Sequence, residues 1–333
     1  RMAVMVKAFS YGSGLAEVAS ILQYNGVDYL MVAYTDEGVE LRSKGITVPI
    51  AVMNPERESF DQMIEFALEP EIYSMELLDT FERYLVSNGI REYPIHLKLN
   101  TGMNRSGLNK NEIPQLLDFF KFQRSSKIVS LFSHLATADD PAQDGFTLEQ
   151  ISLFEECAEM IVPKFDHKIL RHILNSAGIE RFPQFCFDMV RLGIGLYGVG
   201  GDSALECVST FKTHITSIRE ISEDETVGYG RKGRVMRPAK IATIPVGYAD
   251  GVDRHLSCGK GKFVVNGHKV PTIGNICMDM SMLDVTGLDV KVGDTVTIFG
   301  ESPTITEIAD ILGTIPYEVL TSVPRRIERI IVK

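Results

Sequence analysis

Lys7 ends a short apolar run, Ala3-Val4-Met5-Val6-Lys7-Ala8-Phe9, and Tyr11-Gly12-Ser13-Gly14 follows at once. A lysine at the mouth of a strand, with an aromatic hydroxyl four residues on, suits one chemistry well. The amine can condense with a carbonyl cofactor while the next turn holds that cofactor's phosphate. A basic residue that merely closes an edge strand would look the same, so the reading depends on what accompanies it. Other reactive side chains also fall at the ends of apolar runs. Lys98 lies in one run, and Arg105 follows in the loop Asn100-Thr101-Gly102-Met103-Asn104-Arg105. His134 ends the next, His172 and Ser176 flank the end of another, and Arg191, Gly193 and Ile194 close the last. A single core histidine is more often satisfied by a backbone carbonyl than functional. Five run ends carrying such groups together point to a shared site.

The elements that must position these groups alternate through residues 1–204. Apolar, β-rich runs recur at 3–9, 29–34, 49–53, 71–74, 95–99, 128–134, 169–175 and 187–193. Helical patterns lie between them, at 36–44, 76–88 and 147–161 among others. In the last, Ile151, Phe154, Ala158 and Ile161 share one face and Glu149, Glu156 and Glu159 the other. Eight β–α units predict a (β/α)8 TIM-type barrel, whose chemistry collects at the C-terminal ends of its strands. A doubly wound open sheet is the alternative, but no G-x-G-x-x-G follows the first strand. Ser176 with Arg191-Leu192-Gly193-Ile194 fits the phosphate site that barrels often build after strands seven and eight. There the N–H groups of Gly193 and Ile194 can cradle an anion.

From 205 to 333 the pattern changes to strands joined by turns, at 213–221, 240–246, 262–266, 269–273, 282–285 and 295–299. Asn266-Gly267 between two of them is a short-hairpin signal. Only 306–312 reads as helical. A second, mainly antiparallel β domain is expected. The net charge of −10 argues against nucleic acid as a partner and offers no polybasic membrane anchor. Five cysteines without paired spacing suit a reducing, cytoplasmic setting, and no metal-ligand spacing occurs.

At this point the motifs resemble those of the bacterial alanine racemases. Lys7-Ala8-Phe9-Ser10-Tyr11-Gly12 is similar to the family's cofactor-lysine motif, and His96 through Gly107 to its fifth-strand signature. Asn175-Ser176-Ala177, Arg191-Leu192-Gly193-Ile194 and Val227-Gly228-Tyr229-Gly230 follow in the family's order. So do Gly247-Tyr248-Ala249-Asp250-Gly251, Ile276-Cys277-Met278-Asp279 and Tyr317-Glu318-Val319. The resemblance covers essentially the whole chain. A short piece precedes the cofactor strand in the family, so Arg1 is not expected to be the natural start. Lys7 through Tyr11 and Met53-Asn54-Pro55-Glu56 further resemble the racemase half of a fusion with a cell-wall ligase, which makes a fused ligase domain an expectation.

The resemblance implies a homodimeric, pyridoxal 5′-phosphate-dependent isomerase that interconverts L- and D-alanine for peptidoglycan. Lys7 would hold the cofactor as a Schiff base and serve as base on the D-alanine face. Tyr229 of a second copy would serve the L-alanine face. A tyrosine titrates near 10, so it needs stabilisation of its anion, for which His134, linking it towards Arg191, is the candidate. Arg191 would face the pyridine nitrogen, with His172 orienting it. Tyr11, Ser176, Gly193, Ile194 and Tyr317 would hold the phosphate. Arg105 would meet the substrate carboxylate or the cofactor's phenolic oxygen, and the Met278 N–H would bind the substrate carboxylate, with Cys277 and Asp279 beside the latter. In the family the lysine matching Lys98 can be carbamylated and then steadies the arginine. Asn100 stands where the family often has Asp, and Asn275 where it often has Arg. Tyr248 would narrow the approach to the site, or simply pack its Gly-rich turn. A serine racemase, a decarboxylase using Cys277 and a non-catalytic pyridoxal-homeostasis barrel are the competing readings. The Tyr229 and Met278 segments argue against the last.

Overall fold

In the computed structural model, residues 1–122, 125–201 and 204–332 are described. The chain divides into two compact units. The first takes in Arg1–Ser10, Gly14–Leu196 and a short piece from Gly200; the second takes in Tyr11–Ser13, Tyr197–Val199 and the chain from Ala204.

Eight strands build the first unit: β1 (Met2–Met5), β2 (Tyr29–Val32), β3 (Ile50–Val52), β4 (Leu68–Ile72), β5 (Tyr93–Lys98), β6 (Ser126–Phe132), β7 (Leu170–His172) and β8 (Val190–Leu192). They form one parallel sheet in the order β7-β6-β5-β4-β3-β2-β1-β8. Asp188 N–H donates to Arg171 O and Arg191 N–H to Leu174 O, both at 3.0 Å, which brings the first strand's far neighbour back to the seventh. The result is the expected (β/α)8 barrel. Because side chains alternate along a strand, the two faces carry different work. Val4, Leu30, Val32, Ile50 and Val52 join the surrounding helices in one apolar cluster with Leu15, Leu41, Phe60 and Phe81. The opposite face on β5 to β8 is polar or aromatic. His96 pairs in register with Ser130, Lys98 with Phe132, and Phe132 with His172.

The boundaries differ from expectation at β4, which spans Leu68–Ile72 rather than 71–74. Its Glu69-Pro70-Glu71 core contains the residue types least common in strands, so the apolar pattern hides it. The helices lie within a few residues of the expected spans, at Thr35–Ser43, Met75–Ser87 and Asp144–Ile161. The last buries Ile151, Phe154, Ala158 and Ile161, as its periodicity requires.

The second unit is mainly antiparallel. Its strands are β9 (Phe211–His214), β10 (Ser217–Ile221), β11 (Thr226–Val227), β12 (Gly233–Arg234), β13 (Ala239–Ile244), β14 (Lys262–Val265), β15 (His268–Pro271), β16 (Ser281–Asp284) and β17 (Thr295–Phe299). They form the sheets β10-β13-β16 and β15-β14-β17-β9 and the ribbon β11-β12. The single strand expected at 213–221 is two strands in two sheets. At Ile215 and Thr216 the backbone passes from a bond with Asp294 O to one with Thr243 O, so the chain changes partners there. Asn266 (φ 47°) and Gly267 (φ 80°) make the two-residue turn between β14 and β15, both in the left-handed region that this hairpin requires. A second helix, Pro316–Thr321, follows Ile305–Leu312; its start is a proline at the first turn. No helix among the described residues is long and apolar enough to cross a membrane.

Candidate active site

The strand that delivers Lys7 ends in an unusual turn. Ala8, Phe9, Ser10 and Tyr11 have φ of 52°, 57°, 51° and 51°, a left-handed run in non-glycine residues. Such a conformation costs about 1–2 kcal/mol per residue, so it persists only where other contacts enforce it. Ser10 N–H donates to Val6 O (2.9 Å) and Gly14 N–H to Phe9 O (3.0 Å). Ala8 N–H donates to Glu37 Oε1 at 2.6 Å, and Glu37 Oε2 accepts from Ala33 N–H at 2.7 Å. Glu37 thereby joins the turn after β1 to the loop after β2. Burial, then Arg105, holds the Lys7 amine below the ordinary lysine value; Glu37 and Glu71 oppose this and Lys98 adds to it. A lowered amine keeps more of its nucleophilic form at neutral pH.

Arg191 is buried on β8 and held from the ends of two other strands, β6 and β7. Its Nη1–H donates to His172 Nδ1 (2.8 Å) and to His172 O (3.3 Å). Its Nη2–H donates to Ser133 O (2.6 Å) and Ile173 O (3.0 Å), and lies 3.2 Å from His134 Nδ1. The guanidinium sits 5.2 Å from the Phe132 ring centre, and that ring stacks on His172. Burial pushes Arg191 down to about 10 while Glu71 pulls it back, so the group stays charged. Among the described residues its Nε–H has no partner.

A directed chain runs on from Arg191. Because the guanidinium only donates, His172 Nδ1 must accept, and the network assigns the proton to Nε2, which donates to Ser130 Oγ (3.1 Å). Ser130 Oγ–H then donates to His96 Nδ1 (2.7 Å), and His96 Nε2–H to Glu69 Oε2 (2.8 Å). Burial and Arg191 hold both His134 and His172 well below the ordinary histidine value, with Arg105, Lys98 and Lys7 adding to the effect on His134 and His96 to that on His172.

Lys98 Nζ forms a buried ion pair with Glu71 Oε1 at 2.6 Å. The loop after Lys98 is ordered by Asn100. Its Oδ1 accepts from Gly102 and Asn104 N–H (3.2 and 3.0 Å), and its amide donates to Asn104 Oδ1 and Asn109 Oδ1 (2.9 and 3.0 Å). An ionised aspartate could not make the donor bonds, so the amide is suited to this loop. Arg105 is exposed on it. Buried Gln150 pins the neighbouring loop by donating to His134 O (3.1 Å). Ser176 Oγ accepts from Gly193 N–H (2.9 Å) and Gly195 N–H (3.2 Å), so its own proton is free to point elsewhere. Among the described residues the Ile194 N–H, which opens the turn Ile194–Tyr197, has no partner. The first N–H groups of a helical turn lack intrahelical acceptors.

The other candidate residues lie in the second unit. Tyr11 stacks on Tyr197 at 4.8 Å and approaches Tyr317 at 5.8 Å; burial, then Tyr317, pushes its hydroxyl up. Tyr229 opens a turn between Gly228 (φ 76°) and Gly230 (φ 66°) and is 74% exposed. Asn275 Nδ2 donates to Tyr229 O at 3.0 Å and so fixes that turn. Gly247 is required by close approach, since a Cβ there would lie 2.1 Å from Cys277 O. Tyr248 N–H and Ala249 N–H donate to Cys277 O and Met278 O, both at 3.0 Å, which fixes the backbone of this turn, and the Tyr248 ring is exposed. Arg326 joins Asp250 and Asp279, each at 2.7 Å. The Met278 N–H has no partner among the described residues, and the residue is 54% exposed.

Sequence reasoning passed over Glu37, Glu69, Glu71, Ser130 and Gln150. Carboxylates and short polar residues read as solvated by default. A signal was nevertheless present: Glu69 and Glu71, like His96 and Lys98, are spaced by two, which puts each pair on one face of its strand.

A parallel barrel with a strand-end lysine and a deeply held, charged arginine, followed by an antiparallel β unit, defines a class of lysine-based barrel enzyme. Residues 1–200 match the family model described as alanine racemase, N-terminal domain, and residues 208–331 that described as alanine racemase, C-terminal domain. The chain belongs to the alanine racemase family. It is 37% identical over 344 aligned residues to alanine racemase 1 of Clostridium acetobutylicum, covering 99% of this chain and 88% of that protein. The solved alanine racemase of Clostridium difficile 630 is similar at 33% identity and a TM-score of 0.91, over 98% of this chain and 87% of that one. That of Bartonella henselae, solved with covalently bound pyridoxal phosphate, is similar at 29% identity and a TM-score of 0.89, over 99% and 92%. These matches give no support to the expected ligase fusion.

Proposed function

We propose that this chain interconverts L- and D-alanine with pyridoxal 5′-phosphate, using Lys7 and the Tyr229 of a second copy as opposed proton acceptors. The observation that carries the cofactor reading is the donor set. Arg191 has every Nη–H placed on protein and one Nε–H left over for a ring nitrogen. Ser176 Oγ–H and the Ile194 N–H are left over for an anion. Lys7 supplies an amine of lowered basicity for an aldehyde carbon. When bound, the cofactor withdraws electrons from the amino acid and makes its Cα proton removable.

The chain's residues do the rest. Arg191 donates a hydrogen bond without releasing a proton, which limits electron withdrawal and favours return of the proton at Cα. Lys7 takes or gives that proton on the D-alanine face, and Tyr229 on the L-alanine face. His134, held neutral, accepts from Arg191 and is the candidate link from it towards Tyr229. Arg105 and the Met278 N–H receive the substrate carboxylate. Tyr11 and Tyr317 complete the phosphate side. The free cysteines fit a cytoplasmic enzyme supplying D-alanine for peptidoglycan.

The test is racemisation of L-alanine followed by circular dichroism, with the Tyr229→Phe variant beside the parent. The parent should interconvert the enantiomers. The variant should lose interconversion while keeping the cofactor's visible absorbance, because Lys7 is intact. Full turnover in the variant would remove Tyr229 from the mechanism.

A further inference from the structure

Glu37 is the third residue of the helix Thr35–Ser43. A glutamate at that place ordinarily turns back to close the start of its own helix. One of its oxygens does so here: Oε2 accepts from Ala33 N–H at 2.7 Å and from Tyr34 N–H at 3.3 Å. The other, Oε1, reaches across to the neighbouring strand end and accepts from Ala8 N–H at 2.6 Å. We propose that Glu37 is a positioning residue for Lys7, a clamp that fixes the peptide after Lys7 to the end of β2 and so aims the Lys7 amine at its aldehyde partner. The proposal rests on the reading of Lys7 as the amine that takes the cofactor.

Three observations carry it. The first is where the clamp acts. The left-handed run begins with Ala8, directly after Lys7, and continues through Phe9 and Ser10. Such a run needs outside contacts to persist, and the Glu37 carboxylate supplies one to its first amide. The second is the rigidity of what Glu37 joins. Met5 pairs with Met31, and Val6 N–H donates to Met31 O at 3.0 Å, so β1 and β2 stay in step up to the residue before Lys7. The helix that carries Glu37 is pinned at its start, where Thr35 Oγ1 and Ser59 Oγ lie 2.8 Å apart. It also lies close to β4, since a Cβ on Gly38 would come within 2.8 Å of Leu68 Cδ1.

The third is charge. Condensation joins the Lys7 nitrogen to the aldehyde carbon as a C=N bond, and the aldehyde oxygen leaves as water with the two amine protons. It needs a neutral amine held in line with that carbon. Burial, then Arg105, keeps the Lys7 amine below the ordinary lysine value, with Lys98 adding to this, while Glu37 and Glu71 pull the other way. The charge of Glu37 thus works against a neutral amine, so what Glu37 contributes is place.

The experiment uses the protein loaded with pyridoxal 5′-phosphate. Glu37→Gln keeps the volume but leaves one oxygen to accept, so it cannot serve both strand ends. Glu37→Asp keeps the charge but is one methylene shorter, so it can close its helix without reaching Ala8. Hydrogen exchange read by mass spectrometry reports the clamp. Borohydride reduction with peptide mapping reports how much of the bound cofactor is joined to Lys7. In both variants the amides of Ala8, Phe9 and Ser10 should exchange about tenfold faster, as expected for one lost charge-assisted hydrogen bond, with the other barrel strands unchanged. The ratio of joined to unjoined cofactor at saturation should fall by about the same factor. A glutamate that only capped its helix would lower the melting temperature and leave that ratio alone. A parent-like ratio in either folded variant would overturn the proposal, and should Glu37→Gln fail to fold, Glu37→Asp decides. A parent with no cofactor on Lys7 would instead overturn the racemase reading, and the exchange rates would then judge the clamp, which unchanged rates would refute.

Discussion

At the scale of single residues, the site is a problem in charge management. Lys7, Lys98 and Arg191 bring three cations to one end of a barrel, and the groups that make this tolerable are the carboxylates Glu37, Glu69 and Glu71. The cations stood out in the sequence because lysine, arginine and histidine are conspicuous at strand ends. The carboxylates did not, since acidic residues are common on any surface and only the fold shows that these are inside. Ser130 is the least conspicuous of all, yet it is the link between His172 and His96. Ser130→Ala should leave the buried His172 Nε2–H without an acceptor. The expected loss is about 1–3 kcal/mol, the usual cost of an unsatisfied buried polar group. Urea unfolding of the variant measures it. A change within about 0.5 kcal/mol, typical of surface substitutions, would mean that the chain from Arg191 to Glu69 carries no strain-bearing role.

At the scale of elements, the apolar runs marked out seven of the eight barrel strands well, and β4 only at its end. Period and burial explain the success, because strands packed on both faces read as continuous hydrophobic runs. The Glu-Pro-Glu core of β4 breaks that rule since its inner face serves the site rather than the core. The left-handed turn from Ala8 to Tyr11 had no sequence signal either, as none of these residues favours positive φ. The loop after β5 depends on a feature that was visible only as a glycine. Gly107 has φ of 119°, and a Cβ there would lie 2.7 Å from both Asn100 N and Leu99 C. Gly107→Ala must therefore move backbone, not just side chains. It should cost about 1–3 kcal/mol of stability, and it should raise KM for alanine, because Arg105 rides on the displaced loop. Calorimetry with initial-rate kinetics checks both, and an unchanged KM would detach Arg105 from substrate binding.

At the scale of the whole molecule, burial of neutral histidines ties stability to pH. His134 and His172 resist protonation in the fold through burial and then Arg191. In the unfolded chain they take up protons as pH falls through about 6.5. The folded state binds fewer protons in that range, so stability is held above it and lost on acidification, by about 1.4 kcal/mol per pH unit for each histidine once the unfolded form is fully protonated. Unfolding free energies at pH 7.5 and 5.5 should differ by about 3 kcal/mol for the two histidines together, with the lower value in acid. A flat profile would mean that these imidazoles are charged in the fold.

The proposed sharing of one site by two copies is the claim on which the rest depends, and mixing two dead variants tests it directly. Lys7→Ala lacks the amine, and Tyr229→Phe lacks the phenol. In a mixed dimer with shared sites, one site pairs the intact Lys7 of one copy with the intact Tyr229 of the other. Equal amounts, dissociated and reassembled, should recover roughly a quarter of the parent racemase activity, since half the dimers are mixed and each has one working site. No recovery above the separate variants would contradict a Lys7 and a Tyr229 that meet across two chains.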